Sequence, residues 1–177
     1  MKPKYFFTVL LTLLGMTTQA EVINANHNGF QLLIKQEVPV SQARAYQQFI
    51  RISEWWHSEH TWFGNAKALS ITPEVGGCFC ERNGKQQALH MTVSYVVPEQ
   101  EIRMIGGLGP LQMLGVQGGM SWKFNAISPT TSEIILHYQV TGYMPEGLDK
   151  LAPIVDKVQQ EQVARLVSTL EQQLVNN

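Results

Sequence analysis

Residues 120–143, MSWKFNAISPTTSEIILHYQVTGY, decide the architecture. In the first half Met120, Trp122, Phe124 and Ala126 alternate with Ser121, Lys123 and Asn125. In the second, Ile134, Leu136, Tyr138 and Val140 alternate with Ile135, His137, Gln139 and Thr141. A period of two sends the two sets to opposite faces of a strand, so each segment buries one face and wets the other, as in an antiparallel sheet. Ser128-Pro129 between them is turn chemistry. Downstream the period changes. Leu151, Val155, Val158, Val163, Leu166, Leu170 and Leu174 recur along one face, which predicts a long amphipathic helix from residue 148 or 153 to 174. Pro153 suits its first turn, where the missing N–H has no partner to lose.

Working outward, residues 30–38 predict a strand, with Phe30, Leu32, Ile34 and Val38 sharing one parity. Pro39 ends it and Ser41 is placed to cap a helix over 42–50, followed by a second short helix over 53–57. Further strands are predicted at 68–72, 78–82, 87–97, 101–105, 120–127 and 133–143, separated by Pro73 with Gly76-Gly77, by Asn83-Gly84 and by Pro98. The expected fold is α+β: a curved antiparallel seven-stranded sheet around a long C-terminal helix, with two short helices after the first strand. A curved sheet that meets its helix along one line leaves space between them, a candidate ligand cavity.

The composition agrees with one domain. The chain has 177 residues, 44% of them hydrophobic and 15% charged, with a formal net charge of −1. That balance leaves no basic footprint for nucleic acid, and so apolar a chain with two cysteines is neither disordered nor a disulfide-dense miniprotein. The first twenty residues read differently from the rest. Lys2 and Lys4 precede a nearly continuous apolar run over 5–14, and Thr18-Gln19-Ala20 supplies small residues beyond it. This is the layout of a secretory signal with cleavage after Ala20, and the run is too short to span a bilayer. Removing those twenty residues and their two lysines from 177 residues at −1 leaves a domain over 21–177 of 157 residues at −3. The expected compartment is the periplasm or the exterior, where thiols tend to oxidise, with no membrane span after cleavage.

Local sequence resembles the START-like or SRPBCC superfamily, the helix-grip proteins that include polyketide cyclases and activators of heat-shock ATPases. The residues that carry the resemblance are Trp55-Trp56 with His60-Thr61-Trp62, then Pro73 and Gly76-Gly77-Cys78-Phe79-Cys80-Glu81, then His90 and Pro98. Gly106-Gly107-Leu108-Gly109-Pro110-Leu111-Gln112 and Leu151-Ala152-Pro153-Ile154-Val155-Asp156 complete it, and these two look like an exported subgroup with no assigned reaction. The resemblance spans residues 30–174. It implies the helix-grip fold and leaves binding, catalysis and co-chaperone activity open.

Candidate chemistry is sparse. His57 and His60 have a spacing that can place two imidazoles on one side, yet no further metal-ligand cluster accompanies them, so neither metal nor other cofactor is expected. Trp55, Trp56 and Trp62 suit either a core or a cavity wall. Cys78 and Cys80 share a strand face with Cα atoms about 6.5–7 Å apart, at the edge of disulfide geometry. The favoured reading makes them two small buried hydrophobes on the sheet's inner face. A bridge would need a distorted strand, and a metal would have only His90 nearby to add. Glu81, His90 and Tyr143 are candidates for a general acid or base, while the parity of His137 sets it opposite the apolar face. Pattern alone does not settle the side on which His90 falls. Residues 106–109 lack Gly-Lys-Ser/Thr and join two strands, which excludes a phosphate loop. With Leu108, Leu111, Met113 and Leu114 the segment fits a lid or a contact patch. Chemistry of the serine-hydrolase type has no Gly-x-Ser-x-Gly elbow to use.

The expected function is binding of a small apolar or amphipathic molecule in the cavity. Its expected lining is Trp55, Trp56, Trp62, Cys78, Cys80, His90, Met104, Leu111, Met113, Trp122 and Tyr138. The alternative is a cyclase- or dehydratase-type enzyme in which His90 or Glu81 moves a proton. An ATPase co-chaperone ranks last, because export separates it from such a partner.

Overall fold

The computed structural model describes residues 19–175, so the expected leader lies outside the described residues except for its last two positions. Eight antiparallel strands form one sheet: β1 (Gln19–Asn26), β2 (Gly29–Val38), β3 (Leu69–Ile71), β4 (Cys78–Asn83), β5 (Gln86–Val97), β6 (Glu101–Gly106), β7 (Gln117–Ser128) and β8 (Thr131–Thr141). Their order is β1-β2-β8-β7-β6-β5-β4-β3, so β8 closes back on β2. The strand beyond the expected seven is β1. It forms a hairpin with β2, turned where the Asn26 side chain accepts the Asn28 backbone N–H at 2.9 Å. Its polar composition hid it from a search for apolar alternation, and its pairing with β2 supplies what its side chains do not.

Helix α1 (Gln42–Ile50) follows β2, with the Ser41 hydroxyl accepting the Arg44 backbone N–H. The second short helix expected over 53–57 is instead a 3-10 turn, Ile52–Glu54. The rings of Trp55 and Trp56 are both buried but reach different partners, Trp55 against Phe49 and Trp122, Trp56 against Phe79. A continuing helix would not turn adjacent side chains to both. Two further 3-10 turns, Ser58–His60 and Ala66–Ala68, lead into β3.

Helix α2 (Ala152–Val175) packs on β1 and β2 and touches α1. Its apolar stripe divides into two halves. Val163, Leu166 and Leu170 are buried against the sheet, each contributing about 1.5–3 kcal/mol, whereas Val155 and Val158, with Leu151 just before the helix, are only partly covered. The second group fronts a cavity. Among the described residues no helix is long and apolar enough to cross a membrane.

Candidate functional site

Between the N-terminal half of α2 and the sheet lies an apolar cavity of about 460 Å³. Helix α2 supplies Val155, Val158 and Gln159 to it, and Leu151 joins them from the turn just before the helix. The β6–β7 loop supplies Leu108, Leu111 and Leu114, the turn after α1 supplies Trp56 and Trp62, and the sheet supplies His90 and Tyr138. Five residues singled out from sequence thus come together here: Trp56, Trp62, His90, Leu111 and Tyr138.

Six others do not. Trp55, Met104 and Trp122 are in the packed core, at 1% exposure each. The Trp55 indole N–H donates to the Phe49 carbonyl at 3.0 Å, so its polar edge is also spent on structure. Met113 is 84% exposed on the loop. Cys78 and Cys80 point to the outer face of the sheet and are joined by a disulfide, which replaces the expectation of two free thiols on the inner face. The physical reason is local contraction: their Cα atoms are 5.4 Å apart, within bridging distance, beside a register shift between β4 and β5.

That register shift also sets His90. Phe79 pairs with Met91 and Cys80 with Leu89, leaving His90 as the unpaired residue of a bulge in β5. A bulge lets two consecutive residues share a face. His90 and Met91 are accordingly both buried while Leu89 is 52% exposed. The imidazole stacks on Phe79, with ring centres 4.8 Å apart, and its Nε2 lies 3.2 Å from Glu81 Oε2. Glu81 is itself buried and accepts the Trp62 backbone N–H at 2.9 Å and that of Phe63 at 2.8 Å. A carboxylate holding two backbone donors acts as acceptor toward His90, so Nε2 carries the proton and Nδ1 keeps a lone pair. Burial lowers the pKa of His90, outweighing the Glu81 hydrogen bond and charge that raise it.

Two acceptor atoms on the cavity residues, His90 Nδ1 and Gln159 Oε1, are buried with no hydrogen-bond partner among the described residues. Burial drives the pKa of the Tyr138 phenol upward, opposed by a backbone hydrogen bond with Leu108, so the hydroxyl keeps its proton. Gln159 escaped the sequence reading although its position carried a signal. It falls four residues from both Val155 and Val163, inside the phase of the apolar stripe.

The β6–β7 loop is seated on the sheet by Gln112, whose side-chain amide donates to the Leu89 and His90 carbonyls. Gly107 permits that seat: a Cβ there would lie 3.0 Å from the Gln112 nitrogen and from the Val116 carbonyl. Beside the mouth, His57, His60 and Glu161 bring potential ligand atoms within 4.8 Å of one another. The first two were visible in sequence, and α2 adds the third. Each imidazole already has a donor on Nδ1, the Glu59 backbone N–H at 3.2 Å for His57 and the Gln162 amide at 2.7 Å for His60. Those bonds place the ring protons on Nε2, the tautomer that presents donors to Glu161 and must lose a proton before binding a metal there. Tyr143, 74% exposed, takes no part in the cavity.

No family model matches the sequence, and neither does any curated protein. Solved structures do match. An uncharacterised protein from Rhizobium leguminosarum is 16% identical, aligned over 88% of this chain and 99% of its own, with a TM-score of 0.58. CalU16 from Micromonospora echinospora is 9% identical over 89% of this chain and 90% of its own, with a TM-score of 0.56. The di-domain ARO/CYC protein BexL of the BE-7585A biosynthetic pathway is 13% identical over 80% of this chain and 46% of its own, with a TM-score of 0.54. Likeness at this identity is a statement about architecture, and on it the chain has an α+β, helix-grip-type fold.

Proposed function

We propose that this chain is an exported START-like protein that binds a small, neutral, largely apolar molecule whose polar end donates hydrogen bonds. The observation that carries this reading is a pair of buried, unpartnered acceptors on one apolar cavity, His90 Nδ1 from β5 and Gln159 Oε1 from α2, with Tyr138 of β8 on the same cavity. An unsatisfied buried polar group costs roughly 1–3 kcal/mol, so a ligand that partners both recovers much of that cost. His90 Nδ1 and Gln159 Oε1 are acceptors, and the Tyr138 hydroxyl serves either way. No lysine or arginine is among the lining residues, and the Glu81 carboxylate lies behind His90. Both features favour a hydroxyl or N–H over a carboxylate. Export rests on residues 1–20, with their charged start, apolar run and small residues before position 21.

Native mass spectrometry of protein taken from its own compartment tests the reading, with an apolar hydroxylated or N–H-bearing molecule expected as the extracted ligand. A cavity that stays empty when offered 2-naphthol and long-chain alcohols, or that prefers 2-naphthoate to 2-naphthol, overturns it.

A second reading has a specific observation in its favour. A buried, neutral imidazole held on one nitrogen by a carboxylate and unpartnered on the other is arranged to accept a proton from a molecule brought against it. Glu81 would orient the ring and stabilise the imidazolium that forms. This is the cyclase- or dehydratase-type alternative, with His90 as base. Its test is hydrogen–deuterium exchange at the α C–H of 2-tetralone in deuterated water, expected to be catalysed by the wild type and lost in His90→Gln. Equal rates in both remove the reading.

A further inference from the structure

We propose that the Cys78–Cys80 bridge is a thiol–disulfide exchange site on the outer face of the sheet, separate from the apolar cavity. Three observations converge on it. First, the bridge restrains little: it spans a sequence separation of 2, and disulfide stabilisation grows with loop length. The sheet already holds both residues, Cys78 opposite Thr92 and Cys80 between Ser70 and Leu89. Second, the two sulfurs differ in access. Cys78 is partly exposed and Cys80 is only 6% exposed, and the bridge forms part of a surface depression lined by Gly76, Arg82, Leu89 and Thr92. Third, an Arg82 guanidinium nitrogen is 3.8 Å from Cys78 Sγ, and Arg82 has no carboxylate partner among the described residues. A neighbouring cation favours the thiolate, the form of cysteine that attacks and leaves.

The accessible, Arg82-paired Cys78 is therefore the attacking sulfur, and Cys80 resolves. In the reduced protein the Cys78 thiolate attacks one sulfur of an external disulfide. A Cys78–S bond forms, the external S–S bond breaks, and one thiolate leaves to be protonated by solvent. Cys80 then loses its proton to solvent and its thiolate attacks Cys78 Sγ, which re-forms the internal bridge and expels the second thiolate. The external disulfide gains two electrons and becomes two thiols, while the protein dithiol is oxidised. Excess external thiol drives the same steps in reverse.

The probe is glutathione, reduced and oxidised, applied to the full folded protein. In oxidised glutathione Cys80→Ser is expected to gain one glutathione at Cys78 at least about tenfold faster than Cys78→Ser gains one at Cys80. In Cys80→Ser the pH midpoint for alkylation of Cys78 is expected to rise when Arg82→Gln is added. Wild type should pass between bridged and reduced forms across mixed glutathione buffers with unchanged circular dichroism. Equal adduct rates in the two single variants, an alkylation midpoint indifferent to Arg82, failure of the bridge to form in any buffer, or unfolding on reduction would each overturn the proposal.

Discussion

His90 Nε2 lies 3.2 Å from Glu81 Oε2, and the two side chains are 4% and 0% exposed. The pair joins the bulge of β5 to the chain at Trp62 and Phe63, since the same carboxylate accepts both of their backbone N–H groups. Removing Glu81 as Glu81→Ala is expected to destabilise the fold by roughly 3 kcal/mol, because it strips a partner from a buried imidazole and from two amides. Glu81→Gln, which keeps the shape, should cost less. Urea denaturation of the two variants checks the order.

The same pair makes stability depend on pH. An unfolded histidine titrates near about 6.5, and burial holds His90 lower in the folded state. Below that pH the unfolded chain binds the proton more readily, so this contribution is full above about 6.5 and is lost as pH falls toward the folded pKa of His90. The slope for one proton is at most about 1.4 kcal/mol per pH unit. Thermal melts between pH 7.5 and 5 should show a steeper loss for wild type than for His90→Gln, and parallel curves would contradict the assignment.

Trp55 and Trp62 separate core from cavity wall. Trp55 is 1% exposed and packed among Phe49, Trp56 and Trp122, so Trp55→Ala is expected to cost about 3–5 kcal/mol. Trp62 is 42% exposed at the cavity mouth, and Trp62→Ala should change stability by no more than about 1 kcal/mol while weakening the binding of a fluorescent apolar probe. A probe affinity unaffected by Trp62→Ala would take this residue out of the binding surface.

Gly118 and Gly119 give a matched pair. A Cβ at Gly118 would stand 2.7 Å from Tyr138 Cε2 and 3.0 Å from its hydroxyl oxygen, whereas one at Gly119 meets nothing within 4 Å. Gly118→Ala is expected to cost roughly 1–3 kcal/mol and to lower affinity for hydroxylated ligands by displacing Tyr138. Gly119→Ala should leave both close to wild type. Calorimetry with 2-naphthol on the two variants decides between them.

Cleavage after Ala20 predicts an intact mass starting at Glu21. Such a chain loses the pairs Gln19↔Lys35 and Ala20↔Ile34 and keeps those from Glu21↔Leu33 to Asn26↔Gly29, so it should melt within a few degrees of the longer form. Secretion trials that leave residues 1–20 attached would remove export from the proposed function.

Local pattern was enough to specify seven of the eight described strands and both α-helices. Alternation in 120–127 and 133–143 and the stripe from Leu151 to Leu174 are local patterns that depend only on which face of a strand or helix a residue occupies. The expected helix-grip fold, and not alternation, grouped Trp56, Trp62, His90, Leu111 and Tyr138 as cavity residues, since a sheet wrapped around a helix gathers inward residues from distant segments. The remainder depended on how the elements meet. Parity could not orient His90, because a one-residue bulge breaks the alternation that parity assumes. The Cys78–Cys80 bridge depended on the separation that β4 adopts beside that bulge, and the strand β1 on pairing with β2. Gln159 and Gln162 are buried in α2 because the surrounding elements give their amides different situations. Gln162 accepts the His57 backbone N–H and donates to His60, while Gln159 keeps an oxygen without a partner. A periodic pattern specifies the face a residue occupies, and only the assembled elements specify what meets it there.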